Sequence, residues 1–212
     1  TQQSEVRVSH VFVYDPATDT FDDLSRFMFG GVAVAQQGII GMDIIPNTGM
    51  LIGMTYPLGD LVRVPLASAT PNATLTQHRG FGQVTRKVLA TPTGSGYFAY
   101  YPDAQNTPLY AINATSGVIS TTGQTVLYGI WQGRVVTRDQ QTAYLADEIG
   151  HVYRFTVATG QLTDLGLLIG ATWNAQYGAP ETLTMANDER YLFAWLSCWA
   201  CSAPPGVLFS FR

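Results

Sequence analysis

Apolar residues along the chain either alternate with polar residues or form short continuous runs, and Gly, Pro, Asn and Asp separate these segments. Alternation is typical of β-strands with one buried face, and continuous apolar runs are typical of strands buried on both faces. Stretches rich in Ala, Glu, Lys and Leu, which favour helix, are missing. The pattern therefore predicts an all-β fold.

One pattern of strand, polar turn and strand recurs four times along the chain. The copies span residues 42–54, 88–100, 135–146 and 183–195. Their turn residues Asn47, Thr93, Asp139 and Asn187 follow one another at intervals of 46 to 48 positions. Asn, Asp, Gly and Pro in these turns suit the backbone angles that a hairpin requires.

A second series of alternating strands lies between the copies of the first, at residues 11–19, 61–67, 109–117, 152–160 and 207–211. Short polar strands suited to a sheet edge follow four of them. The two series give four antiparallel strands per about 47 residues, the pattern of a β-propeller blade. We predict a β-propeller, or part of one, whose blades pack face to face.

The strand count does not determine whether the blades close into a ring. We assign the last two strands of one blade to about 5–27, whole blades to about 39–78, 84–124 and 131–168, and three strands of another to about 181–211. Residues 1–212 then form a single propeller domain or a propeller segment. Three interpretations remain: a piece of a longer propeller, a closed four-bladed ring with one irregular blade, or assembly in trans through residues 207–211.

The turn between the third and fourth strands resembles that of known propeller repeats. Residues 11–24 contain Asp-Pro-Ala-Thr-Asp, and residues 152–165 contain Val-Ala-Thr-Gly at the corresponding place. The chain is similar in this motif to the superfamily of Kelch, YVTN and quinoprotein-like blades. Gly30 and Gly31 follow as in Kelch, but the later blades lack this pair, and the Trp-Asp and Asp-box motifs are absent. The resemblance implies the blade and no single family.

The composition narrows the classes of function. Charged residues make up 12% of the 212 residues, about half of the roughly 25% in an average soluble domain. The net charge of -4 gives no basic surface for nucleic acid, and the 46% apolar content argues against disorder. No segment approaches the roughly 18 consecutive apolar residues of a membrane span. We expect neither nucleic-acid binding nor a membrane span.

The sequence contains no recognised catalytic motif. A Gly-x-Ser-x-Gly elbow, a His-Glu-x-x-His pair and a phosphate loop are all absent. The carboxylates Asp15, Asp19, Asp22 and Asp23 lack the ligand spacing of a calcium loop, and turn or strand-edge roles suit them better. We predict no catalytic residue, no cofactor and no metal site, and we lean against an enzyme.

Two pairs of residues favour an extracellular or cell-surface location. Cys198 and Cys201 follow a strand and precede Ser-Ala-Pro-Pro, which favours a disulfide that holds the loop; free thiols and a redox or metal role are the alternatives. Asn72 and Asn113 each begin a glycosylation sequon in the connection between a third and a fourth strand.

Most aromatic residues are expected in the core between blades. Trp173, Tyr177 and Trp199 instead fall in loops that usually open on one face of a propeller, where such side chains can stack on sugars or hold a peptide. We therefore predict a non-catalytic extracellular module for protein or glycan interaction, with a protein partner or a homo-oligomer, as a structural part of a larger surface assembly. The alternative is the scaffold portion of a quinoprotein-like or lyase-like propeller enzyme whose catalytic groups lie elsewhere.

Overall fold

The computed structural model describes residues 10–26, 28–29, 32–33, 38–56, 58–67, 74–76, 87–99, 106–168, 179–197 and 207–211. Within these ranges all regular secondary structure is β-strand and no helix occurs. In chain order the strands are β1 His10–Asp15, β2 Thr20–Arg26, β3 Met28–Phe29, β4 Val32–Ala33, β5 Gly38–Ile45, β6 Met50–Tyr56, β7 Leu61–Pro65, β8 Thr74–Thr76, β9 Leu89–Ala90, β10 Ser95–Phe98, β11 Thr107–Asn113, β12 Ile119–Val126, β13 Ile130–Val136, β14 Thr142–Asp147, β15 His151–Thr156, β16 Gln161–Leu167, β17 Ala179–Met185, β18 Leu192–Ser197 and β19 Val207–Phe211.

The strands form antiparallel sheets in which strands adjacent in sequence are also adjacent in space. The second sheet contains β5 to β8, the third β9 to β12 and the fourth β13 to β16, each in sequential order. The first sheet contains β1 and β2, the fifth β17 to β19, and β3 pairs with β4. The predicted all-β fold of four-stranded antiparallel units is confirmed.

The repeated polar turns lie between the first and second strands of the second to fifth sheets, as the sequence predicts. Each turn contains one residue with a positive φ, a conformation that glycine adopts without strain. These residues are Gly49 (61°), Gly94 (84°), Gln140 (58°) and Glu189 (58°). The third and fourth copies of the turn therefore keep the same backbone shape with side chains that adopt it less readily.

Consecutive sheets pack face to face, because one sheet cannot cover both of its own apolar faces. The layer between the second and third sheets contains Ile45, Ile52, Met54, Leu61, Val88, Ala90, Phe98, Ile112 and Ala114. The layer between the third and fourth contains Leu89, Ala99, Leu109, Val126, Ala143, Leu145, Tyr153, Phe155 and Val157. A smaller layer of Ala146, Leu183 and Ala194 joins the fourth and fifth sheets. The core is thus continuous from the second sheet to the fifth.

The second and third sheets approach each other closely at Gly96 on β10. A Cβ atom at this position would overlap Cδ1 of Ile52, which is completely buried on β6, so the Ile52 side chain would have to move. Because the φ of Gly96 is not in the left-handed region, packing and not backbone conformation favours glycine here.

Polar side chains link the first turn of one sheet to the first turn of the next. Asn47 donates from Nδ2 to the carbonyl of Pro92 at 3.0 Å, joining the second and third sheets. Glu189 accepts from the backbone N–H of Arg138 at 2.6 Å, joining the fifth and fourth.

A second set of links lies at the turns between third and fourth strands. Arg63 on β7 donates from Nη1 to the carbonyls of Ala114 and the following threonine. Gln124 on β12 donates to the carbonyl of Gly160 at 2.7 Å and accepts from the N–H of Leu162 at 2.6 Å. In both cases a side chain of one sheet bonds to backbone groups in a turn of the next sheet or, for Leu162, at the start of the strand that follows the turn.

Candidate functional site

Three charged residues lie on or just before the first strands of the second, third and fourth sheets. Asp43 lies on β5, Lys87 lies two residues before β9, and Arg134 lies on β13. The first strand of each propeller blade lines the central axis. We therefore call Asp43, Lys87 and Arg134 the axial cluster.

Asp43 holds the first strands of three consecutive sheets together. Its Oδ2 accepts from the backbone N–H of Ala90 on β9 at 2.8 Å and pairs with Nη1 of Arg134 on β13 at 2.9 Å. Its Oδ1 accepts from the N–H of Ile44 at 3.0 Å. Ala90 lies on the edge strand of its sheet, where its backbone N–H has no neighbouring strand to bond to. The Asp43 carboxylate therefore takes the place of a strand as the acceptor for this N–H. Both oxygens are engaged, so the geometry gives Asp43 a positioning role.

The axial cluster contains two cations and one carboxylate. Burial lowers the pKa of Lys87 below its usual 10.5, the nearby Arg134 lowers it further, and Asp43 partly opposes both effects. Among the described residues Lys87 has no hydrogen bond or ion pair, and Nε of Arg134 is buried without a hydrogen-bond partner. The cluster thus carries a surplus positive charge and an unused donor.

The first sheet carries exposed aromatic side chains on one face. Phe12 is 59% exposed, Tyr14 46% and Phe21 72%, and the rings of Tyr14 and Phe21 are 4.9 Å apart between centroids. Cross-strand pairing of Tyr14 with Phe21, and of Phe12 with Asp23, puts all four residues on the same side of the hairpin. We call Phe12, Tyr14 and Phe21 the aromatic face.

Carboxylates surround the aromatic face. Asp19 accepts a hydrogen bond from the Tyr14 hydroxyl at 2.9 Å, and this bond raises the pKa of Tyr14. Asp15 accepts from the backbone N–H of Ala17 at 2.8 Å, which gives it the turn role that its sequence position suggests. Asp22 and Asp23 are both exposed on β2, but only Asp23 is on the side of the aromatic face, because Asp22 pairs with Val13 on the other side.

A buried carboxylate organises the turn between β14 and β15. Oδ1 of Asp147 accepts from the N–H groups of Ile149 at 3.1 Å and His151 at 2.9 Å, and Oδ2 accepts from the Tyr153 hydroxyl at 2.9 Å. The same hydroxyl accepts from the N–H of Leu127, which directly follows the last strand of the third sheet, at 2.9 Å. Burial raises the pKa of Asp147 to about 6, although these hydrogen bonds lower it.

His151 also pairs with a carboxylate on the neighbouring strand. Its Nδ1 lies 3.0 Å from Oδ2 of Asp164, whose Oδ1 accepts from the N–H of Gly166 at 2.7 Å. The imidazole and carboxylate thus sit at the outer edge of the fourth sheet, away from the axial cluster on the first strands. The hydrogen bonds of this pair and of Asp147 support the local chain path.

Most of the predicted site residues lie outside the described residues. These are Cys198, Cys201, Asn72, Trp173, Tyr177 and Trp199. Asn113 is described and exposed, and its Oδ1 accepts from the N–H of Ser116 at 2.9 Å in the turn after β11. Its glycosylation, and the roles of the other residues, stay predictions.

The axial cluster was not predicted from the sequence, although a signal for it was present. Asp43, Lys87 and Arg134 are separated by 44 and 47 positions, close to the repeat period. Each of them also interrupts a mostly apolar first-strand segment, and Lys87 is the only lysine of the chain. Charged residues at the repeat spacing on inner strands would have identified the cluster.

Within the described part of the chain no helix is long and apolar enough to cross a membrane. No group of three or more His, Cys, Asp or Glu side chains in those residues is placed to hold a metal ion.

Neither a known protein family nor a curated protein matches the chain in sequence. Solved structures do match it. A putative 6-phosphogluconolactonase from Bacteroides fragilis has a TM-score of 0.64 at 17% identity, over 96% of this chain and 59% of that protein. A periplasmic gluconolactonase from Pseudomonas aeruginosa has a TM-score of 0.59 at 17% identity, over 89% and 56%.

A third match comes from a structure described as a nidogen/laminin complex. Its TM-score is 0.55 at 10% identity, over 86% of this chain and 62% of that one. The chain thus spans between 56% and 62% of the length of these three proteins. At such low identity the likeness shows the fold alone, and it agrees with the repeat, the sheet order and the face-to-face packing. The chain is therefore built as a series of β-propeller blades.

Proposed function

We propose that the chain is a non-catalytic β-propeller module that binds a partner protein through the aromatic face. The observation that carries this proposal is the exposure of Phe12, Tyr14 and Phe21 on one side of a two-stranded sheet. Clustered exposed aromatic side chains on an otherwise soluble domain mark interaction surfaces, because leaving them in water is unfavourable. The match to a nidogen/laminin complex supports a binding role, since propellers of similar fold occur in such assemblies.

The charges near the aromatic face support a partner that carries positive charge. Asp19 and Asp23 are exposed beside the face, and the chain as a whole has a net charge of -4. A partner that presents Arg or Lys side chains would gain cation–π contacts with the rings and ion pairs with the carboxylates. The proposed occupant is therefore a protein segment that carries basic residues.

The location and modifications form part of the same proposal. An extracellular or cell-surface site, a disulfide between Cys198 and Cys201, and glycans at Asn72 and Asn113 would suit a binding module of low charge. Glycan binding by the face that holds Trp173, Tyr177 and Trp199 also remains a proposal. Intact mass of the native protein before and after reduction and deglycosylation tests these assignments.

A second candidate is the scaffold portion of a propeller enzyme. It is favoured by the likeness to two lactonases, with TM-scores of 0.64 and 0.59. Because the catalytic groups of such an enzyme would lie outside this chain, gluconolactone hydrolysis above the buffer rate is expected of a complete propeller that contains the chain and not of the chain alone. The same rate as buffer in both would exclude this candidate.

The binding proposal is tested with a fluorescent peptide that alternates Arg and Gly, and with a matched peptide that carries Glu in place of Arg. Fluorescence anisotropy should detect the Arg peptide, and Phe21→Ser should weaken its binding about tenfold, equivalent to about 1.4 kcal/mol. Val118→Ser is the matched control. Val118 is an apolar residue as exposed as Phe12 of the aromatic face, at 59%, but it lies in the turn region after β11 and away from that face.

Circular dichroism and thermal melting must first show that both variants are folded. Equal binding by the original chain, Phe21→Ser and Val118→Ser would exclude the aromatic face. Tighter binding of the Glu peptide would show that the charge assignment is wrong.

A further inference from the structure

The axial cluster contains more positive charge than its own carboxylate neutralises. Both oxygens of Asp43 are already engaged, by Arg134 and by the backbone N–H groups of Ala90 and Ile44. Lys87 lies three residues before Ala90, which is bonded to Asp43, and both Arg134 and Asp43 act on its charge. Lys87 forms no ion pair among the described residues. A partly buried ammonium group that no carboxylate pairs directly is unfavourable, and a second anion at this point would relieve it.

Arg134 adds an unused donor beside the unpaired lysine. Its Nη1 is directed to Asp43, while its Nε is buried and has no hydrogen-bond partner. A buried donor without an acceptor costs on the order of 1–3 kcal/mol. A guanidinium group fixed by one carboxylate keeps its remaining N–H groups oriented, which suits a planar or tetrahedral oxyanion.

We propose that the axis of the blades binds a small oxyanion, a carboxylate or phosphate group, between Lys87 and Arg134. In this site Lys87 supplies the unpaired charge, Arg134 supplies the oriented donor, and Asp43 holds Arg134 in position. The site is narrow, because a single carboxylate on the second sheet reaches across the third to a side chain of the fourth. It therefore suits one anionic group of a small molecule, and it is independent of the aromatic face.

The single lysine gives a direct spectroscopic probe of this site. Reductive methylation with ¹³C-formaldehyde keeps the positive charge of Lys87 and gives one dimethyl-lysine NMR signal, apart from that of the N-terminus. The labelled protein is titrated with sodium phosphate and, separately, with sodium acetate, with sodium chloride keeping the ionic strength constant. We expect a saturable shift of the Lys87 signal with one or both oxyanions and none with chloride alone, and the tighter of the two identifies the ligand class.

Variants separate the proposed site from general charge effects. Arg134→Gln should weaken oxyanion binding at least about tenfold, while Arg154→Gln, which removes an exposed cation of β15, should leave it unchanged. If Arg134→Gln does not fold, Lys87→Gln is used instead, and binding is measured by thermal melting of unlabelled protein. Phosphate or acetate should then raise the Tm of the original chain and should not raise that of Lys87→Gln. The proposal would be overturned if the shift of the Lys87 signal followed ionic strength without saturating. It would also be overturned if phosphate or acetate raised the Tm of Lys87→Gln as much as that of the original chain.

Discussion

Replacement of Tyr153 by phenylalanine tests the buried network between the third and fourth sheets. The substitution keeps the ring in place between the two sheets and removes only the hydroxyl. That hydroxyl donates to Oδ2 of Asp147 at 2.9 Å and accepts from the N–H of Leu127 at 2.9 Å. Asp147 is completely buried and Tyr153 is 2% exposed, so water cannot readily replace either bond.

The expected loss of stability follows from the two groups that become unpaired when the hydroxyl is removed. A buried donor or acceptor without a partner costs about 1–3 kcal/mol, and the cost is larger for a charged group. Since Leu127 is only partly buried, we expect Tyr153→Phe to lower the free energy of unfolding by about 2–4 kcal/mol at pH 8. For a chain of this length that corresponds to a fall in Tm of roughly 5–15 °C.

The size of this loss should depend on pH through Asp147. Burial raises the folded-state pKa of Asp147 to about 6 from 3.8, so the folded chain binds a proton on this group at a pH where the unfolded chain does not. The charged carboxylate therefore destabilises the fold above pH 6, and this effect decreases as the pH falls from 6 towards 3.8. Without the Tyr153 donor the charged form is less favourable still. The difference between Tyr153→Phe and the original chain should consequently be larger at pH 8 than at pH 5.

Urea denaturation of both proteins at pH 8 and pH 5 measures this difference, and other titrating groups cancel in the comparison. Tyr97→Phe is the matched control, because Tyr97 packs in the same layer while its hydroxyl has no hydrogen bond among the described residues. It should change stability by less than about 0.5 kcal/mol. A loss below that value for Tyr153→Phe, or an equal loss at both pH values, would refute the role given to the hydroxyl.

Two further substitutions test the packing and the axial charges. Gly96→Ala places a methyl group against the side chain of Ile52 and should destabilise the fold by about 1–3 kcal/mol in urea denaturation. Adding Ile52→Val to this variant should restore part of the lost stability. Full stability of Gly96→Ala alone would contradict the close approach of the two sheets. Asp43→Asn removes the carboxylate that raises the pKa of Lys87, so an NMR titration of the dimethyl-lysine signal should show a lower pKa than in the original chain. Arg134→Gln should instead raise the pKa of Lys87. An unchanged pKa in both variants would show that Lys87 lies outside the cluster.

The strands and turns could be predicted from the sequence because their signals are local. The turn at Asn47 is defined by four adjacent residues, and its recurrence at Asp139 fixes the order of strands in each sheet. Face-to-face packing follows from strands such as β6, whose interior residues are buried on both sides.

The sites could not be predicted in the same way, because they depend on contacts between distant segments. The exposure of Phe21 is decided by what packs on the hairpin, and an alternating strand pattern alone assigns such a side chain to a core. The contact of Asp43 with Arg134 joins two repeats that are not adjacent in the chain. Neither hydropathy nor turn chemistry specifies which side chains meet at the axis.

The contact between Asp43 and Arg134 has a consequence for cooperativity. In repeat architectures each unit interacts with its immediate neighbours, so stability is approximately a sum of the stabilities of single repeats and of the interfaces between neighbours. The ion pair adds a coupling between the second and fourth sheets that spans the third. Loss of any one of these three sheets therefore also removes contacts from the other two. The middle of the chain should open as one cooperative unit, while the first and fifth sheets can separate from it at lower free energy.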